Sequence, residues 1–288
     1  MQQKTYISFI VILFAFSLNA QKSIHQTFKD TRVINTPSVE TLRGGILDFR
    51  IGHRFGDAAG IGGGWPTFYG LENATDVSFG FDFGLSDNMM IGIARNKGAG
   101  PLKSNVNFGM KYRVMRQEIG GKNPFSLAFS GMASYSTMQR SEFPFDINFF
   151  EKGAHRLSYN LQVLIASRLS ERMAIQVGAG WTYRNIVRPD DFNDLPSLSF
   201  VFKYQFSKVF GLILDSNFTI SDYHSSENGF YPAIGVGFEW ETGGGHVFQI
   251  NLTNATGMAE TDYIPYTTSS WGDGGYRLGF TISRQFKL

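Results

Sequence analysis

At 288 residues, with 42% hydrophobic and 17% charged side chains, the chain suits one large unit; its formal charge of +2 gives no whole-chain attraction for nucleic acid. The absence of cysteine excludes structural disulfides, thiolate metal sites and a cysteine nucleophile. Gly 33 and Phe 28 are both high, which fits strands crowded on one face and coated with rings on the other.

Residues 1–20 differ from all that follow. Lys4 precedes an apolar stretch from Tyr6 to Ser17, and Leu18-Asn19-Ala20 leads to Gln21, the layout of a secretory signal peptide. The run is too short to span hydrocarbon as a helix. Residues 21–41 are polar, contain Pro37 and show no period, so they read as a periplasmic N-terminal tail.

From residue 42 to 288 the side-chain period is two. The expected strands are Ile46–Phe55, Val77–Leu85, Met89–Arg95, Val106–Met115, Phe125–Ser136, His155–Leu169, Met173–Tyr183, Ser197–Phe206, Phe210–Phe218, Tyr231–Glu241, Val247–Thr253 and Tyr276–Phe286. In the second, Val77, Phe79, Phe81, Phe83 and Leu85 interleave with Ser78, Gly80, Asp82 and Gly84, giving one oily and one wet face. Short turns such as Ser86-Asp87-Asn88 and Ser170-Glu171-Arg172 alternate with long loops. An exported chain without an apolar helix satisfies its backbone in lipid only as a closed barrel. The expectation is therefore an all-β, antiparallel, up-and-down transmembrane barrel of twelve strands, with outer-membrane lipid as its surroundings and both mature termini periplasmic. Trp181 and Tyr183 at one end and Trp240 at the other fit two aromatic girdles.

The strand parity turns Arg50, Arg54, Lys111, Arg113, Arg156, Arg168, Lys203 and Arg277 inward, against Asp48, Asp82, Asp215, Glu239 and Glu241. An excess of fixed positive charge favours passage or binding of a small hydrophilic, anionic solute. The competing expectation is that these groups pair with each other and with Gln162, Gln176, Gln205 and Asn251 into a plugging network, giving a structural or partner-binding subunit. The acidic loop residues Asp190, Asp191, Asp194, Glu260 and Asp262 read as solvated loops, with divalent-ion binding the weaker reading. The five histidines have no metal-ligand spacing, and no cofactor motif is found; Gly98-Ala99-Gly100 reads as a glycine turn.

Three resemblances attach to particular residues. The last row, Tyr276, Leu278, Phe280, Ile282, Phe286 and Leu288, resembles the C-terminal signal by which bacterial outer-membrane proteins are recognised, which implies the β-barrel assembly machinery as a partner during biogenesis. Tyr223-His224-Ser225-Ser226-Glu227-Asn228-Gly229 superficially resembles a segment of the outer-membrane phospholipase A family, implying a lipid hydrolase; the spacing to Asn228 departs from it, and the expectation is that the chain is not an enzyme. Ile51-Gly52-His53-Arg54-Phe55-Gly56 and Phe83 to Asn88 continuing through Ile91 to Arg95 resemble a Gram-negative family described only as a membrane-bound β-barrel domain of unknown function. That resemblance implies location and fold and carries no site residues.

Overall fold

The computed structural model describes residues 22–23, 26–98 and 101–288. The signal-peptide expectation over 1–20 lies outside the described residues. Twelve strands form one closed barrel: β1 Ile46–Phe55, β2 Ala74–Ser86, β3 Met89–Lys97, β4 Ser104–Met115, β5 Ser126–Ser136, β6 Leu157–Arg168, β7 Met173–Arg184, β8 Asp194–Gln205, β9 Phe210–Thr219, β10 Ala233–Glu241, β11 His246–Thr253 and β12 Arg277–Lys287. Each pairs antiparallel with its chain neighbours, and β12 closes on β1 in the register Gly279↔Arg54 to Lys287↔Ile46. The twelve expected strands are all present, their ends shifted by up to three residues. Among the described residues no helix is long and apolar enough to cross a membrane.

The outward rows carry the oily side chains. Phe79, Phe81, Phe108, Phe129, Leu161, Val177, Phe200 and Phe238 are exposed on the barrel wall, where acyl chains would cover them. Trp181 stacks on Tyr183 toward the long-loop end, with ring centroids 5.6 Å apart, and Trp240 stacks on Phe248 toward the short-turn end at 5.2 Å. These are the two girdles, set where amphipathic rings favour the water–lipid boundary.

The lumen is occupied, and this corrects the reading of residues 21–41 as a tail outside the barrel. From residue 27 to 42 the segment lies almost wholly buried, with Phe28, Val33 and Val39 at 0% exposure. It enters from the short-turn end, where Lys29 Nζ donates to Lys208 O and to Glu241 Oε2, each within 2.8 Å. A small hairpin pairs Arg32 with Pro37 and Val33 with Thr36, and the chain returns to the same end, where Thr41 Oγ1 donates to Asp87 O. The reason is visible on the inward rows. Ala128, Leu164, Ala166, Ala174, Val201 and Ile213 point inward and cluster with Phe28, Val33, Ile34 and Val39. An apolar patch facing a wet lumen is unfavourable, and covering it stabilises by about 1.5–3 kcal/mol for each Val, Leu, Ile or Phe side chain fully buried.

The last long loop fills the lumen from the opposite end. Its helix α1, Glu260–Tyr266, buries Glu260, Asp262, Tyr263 and Ile264, and Leu195, Ala233, Ala255, Tyr263 and Ile264 form a second apolar cluster. The expectation that Glu260 and Asp262 are solvated loop acids is thereby corrected. Thr261 Oγ1 and Ser134 Oγ share a hydrogen bond of 2.6 Å, and Asn105 Nδ2 donates to Asp262 Oδ1 at 3.2 Å.

Replacing Val39 by Asp places an ionised carboxylate among Leu164, Val201 and Ile213, an uncompensated buried charge costing ~3–5 kcal/mol. The expected outcome is release of the hairpin from an intact barrel. Limited proteolysis would cut V39D between residues 27 and 41 while the folded band keeps its heat-modifiable migration.

Candidate functional site: a lumen closed by two inserts

A closed strand ladder has no free backbone edge, so the hairpin is held by side chains. Asp215 on β9 takes Asn35 N at 2.9 Å, Thr36 N at 3.0 Å, Thr36 Oγ1 at 2.9 Å and Asn35 Nδ2 at 3.0 Å. Gln249 on β11 accepts from Ile34 N at 3.0 Å and donates to Arg32 O at 2.9 Å. Gln176 on β7 does the same for Val39 N and Pro37 O, at 2.9 and 2.8 Å. Each glutamine thus stands in for a neighbouring strand. These anchors also hold a strained turn: Ile34 has φ 49°, a left-handed value that its branched side chain disfavours. Gly235 opposite leaves room for it, since a Cβ there would meet Ile34 Cγ2 at 2.7 Å.

Ion pairs complete the attachment. Arg50 on β1 pairs with Asp30 and, at 3.1 Å, with Asp48. Arg113 on β4 pairs with Glu40 at 3.2 Å, and Lys203 on β8 pairs with Glu239 on β10 at 2.8 Å. Lys111 on β4 donates to the carbonyls of Thr31 and Glu40 at 2.7 and 3.1 Å. The inserts meet at mid-lumen: Arg32 of the hairpin pairs with Glu260 of α1 at 2.8 Å, and Arg54 on β1 donates to Asn35 Oδ1 and to Gly257 O.

Of the expected inward residues, Asp48, Arg50, Arg54, Asp82, Lys111, Arg113, Lys203, Asp215, Glu239 and Arg277 lie on inward rows with partly or fully buried side chains. Arg156, Arg168 and Glu241 do not line the lumen. Arg156 sits in a single turn before β6, donating to Ser136 O and Met138 O with Phe150 beneath it. Arg168 closes the short turn onto Ser170 O and Glu171 O, and Glu241, its side chain 42% exposed, holds Lys29 at the rim. The positive excess expected for the lumen also disappears. The hairpin adds Asp30 and Glu40 against Lys29 and Arg32, α1 adds Glu260 and Asp262, and β2 adds buried Asp76. Strand parity missed all of these because they sit in inserted or loop-proximal segments.

One side of the lumen stays open. Gly52, Ser78, Gly80, Gly92, Ala94, Gly109 and Ser130 form an inward wall of small residues across β1–β5, in register at Gly52↔Ser78, Gly80↔Ala94 and Gly92↔Gly109. A cavity of about 110 Å³ lies along it, bordered by Arg32, Arg50 and Lys111 and by Asp82 and Glu260. A Cβ at Gly109 would find no atom within 4 Å.

At the long-loop end, His224 faces Ser221 Oγ at 3.3 Å and Asp191 Oδ1 at 3.6 Å, both through Nδ1. A hydrolytic relay needs nucleophile and carboxylate on opposite ring nitrogens, and Ser226 lies in its own turn, Ser226–Asn228. Asp191 is instead clasped by Arg184 through both oxygens, at 2.8 and 3.0 Å. Burial lowers the His224 pKa from 6.5 to about 4, against the raising effect of Asp191, with Arg184 adding to the fall. The folded loop therefore resists a proton that the unfolded loop accepts, and its stability falls as pH drops from about 6.5 toward 4. Proteolysis of the 219–231 loop should accelerate over that interval, and His224→Gln should flatten the dependence; equal slopes in both proteins would contradict it.

The chain matches the family described as "Membrane bound beta barrel domain (DUF5777)" over residues 28–286 and belongs to it. It is a membrane-bound β-barrel domain, closed by twelve antiparallel strands. Among solved structures it is similar to the NanC porin at 11% identity and TM-score 0.48, covering 84% of this chain and 100% of that one. The KdgM porin matches at 5% identity and TM-score 0.49, covering 84% and 99%; an outer membrane channel from Pseudomonas putida F1 matches at 14% and 0.45, covering 86% and 98%. No curated protein matches the chain.

Proposed function

We propose that this barrel is a narrow outer-membrane channel for a small hydrophilic solute, with both mature termini in the periplasm and its passage confined to the small-residue wall of β1–β5. The observation that carries the reading is the asymmetry of the lumen. The side formed by β5–β9 is sealed by a dry apolar cluster, whereas the side bearing Gly80, Gly92 and Gly109 keeps a cavity bordered by charged side chains. The cations bordering that cavity differ in their partners: Arg32 and Arg50 face carboxylates, while Lys111 meets only carbonyl oxygens. Asp82 on the same cavity likewise has no direct ion-pair partner among the described residues, so a small hydrophilic solute passing there meets one ammonium and one carboxylate. The role needs no cofactor and no catalytic residue. Lipid surrounds the barrel, and the row ending at Phe286 and Leu288 suits delivery by the β-barrel assembly machinery.

A second reading, a closed barrel acting as a structural or partner-binding subunit, is favoured by how fully Asp215, Gln176 and Gln249 satisfy the hairpin. Single-channel recording in planar bilayers separates the two. The wild type should give small steps, Gly109→Trp should reduce them severalfold without altering the folded band, and V39D should enlarge them. Silent wild-type bilayers, from folded protein, would remove the channel.

A further inference from the structure

The mouth at the long-loop end holds a second cavity of about 360 Å³, within the range of about 300–1,000 Å³ usual for small-molecule sites. It is separate from the 110 Å³ space at mid-lumen, but one stretch of chain connects them: Thr256 lines the mouth and Met258 to Glu260 line the inner cavity. Tyr223, Phe230 and Tyr266 give the mouth three aromatic walls. Their positions are set from behind. Tyr223 and Phe230 are 5.5 Å apart between ring centroids, His224 lies 4.6 Å from Phe230, and the Arg184 guanidinium stands 5.5 Å over the Tyr266 ring.

Two charged groups enter the same space, and they differ in kind. Asp191 is immobilised by Arg184 and by Phe192 N, which donates to it at 2.7 Å, so it is a fixed acceptor. Arg188 is exposed, and its guanidinium has no hydrogen-bond or ion-pair partner among the described residues. Threonine hydroxyls at 75, 256 and 268 complete a lining that alternates ring faces with hydrogen-bonding groups.

We propose that this mouth is a binding site for a sugar ring bearing a carboxylate. Aromatic faces suit the apolar C–H faces of a pyranose, Asp191 and the threonines suit its hydroxyls, and Arg188 suits its acid through a bidentate charge-assisted pair. A wholly apolar acid fits poorly, since it would cover the threonine hydroxyls without replacing their hydrogen bonds. A neutral sugar leaves Arg188 without a partner. The inference deepens the channel reading by naming what is gathered at its entrance, and rests on the long-loop end being the outer one.

The test is calorimetric titration of folded full-length protein in detergent with sodium glucuronate, glucose and sodium benzoate. Glucuronate should bind, and glucose and benzoate should each bind on the order of tenfold more weakly or not at all, the difference one charge-assisted contact or one set of unmet hydrogen bonds provides. Arg188→Gln, at an exposed position without side-chain partners, should weaken glucuronate on the order of tenfold and leave glucose unchanged. Tyr223→Ala should weaken both sugars. No glucuronate binding, benzoate binding as well as glucuronate, or glucuronate affinity unchanged in Arg188→Gln overturns the site. Because titration does not depend on conduction, glucuronate binding with silent bilayers would keep the site and remove the channel.

Discussion

A barrel that closes on itself leaves its lumen no backbone to pair with. Every N–H and C=O of β1–β12 that faces hydrocarbon is spent on the ladder, as lipid requires, so anything inside must be held by side chains. This constraint explains the composition of the inward rows. Asp215, Gln176 and Gln249 do for the hairpin what an edge strand does in an open sheet, and Arg50, Lys111 and Arg113 take its carboxylates and carbonyls. The charges are there because the lumen has an occupant with polar backbone to satisfy.

The barrel was legible from the chain because lipid imposes one rule on every strand. Phe79, Phe81 and Phe83 against Ser78, Gly80 and Asp82 announce their faces without reference to anything distant. The occupants were illegible for the opposite reason. Residues 27–42 have no period since their partners lie on β1, β4, β7, β9 and β11, and a seven-residue helix containing Pro265 is too short to display amphipathicity. A signal was nevertheless present in Leu164, Ala166, Val201 and Ile213. They occupy inward positions where a water-filled lumen calls for polar groups, and their apolarity marks the surface on which Val33 and Val39 rest. The rim residues Arg156, Arg168 and Glu241 were misplaced because parity gives the face of a residue without its height.

The two halves of the lumen therefore play different parts. Dry packing against β5–β9 fixes the hairpin in place, and that fixed surface becomes the far wall of the space beside Gly80, Gly92 and Gly109. Constriction comes from an added segment more than from barrel diameter. The arrangement lets twelve strands, wide enough to need filling, enclose a space of defined width and charge.

The hairpin's place in the chain has a consequence for biogenesis. It precedes every strand of the barrel, yet Asp215 and Gln249 follow it by 180 and 215 residues, and its tether joins β1 at the seam with β12. Contacts that distant form late and slowly. The hairpin therefore waits until the eleventh strand exists before its turn is secured, and the sheet curls shut around it: the cork is present before the bottle is finished.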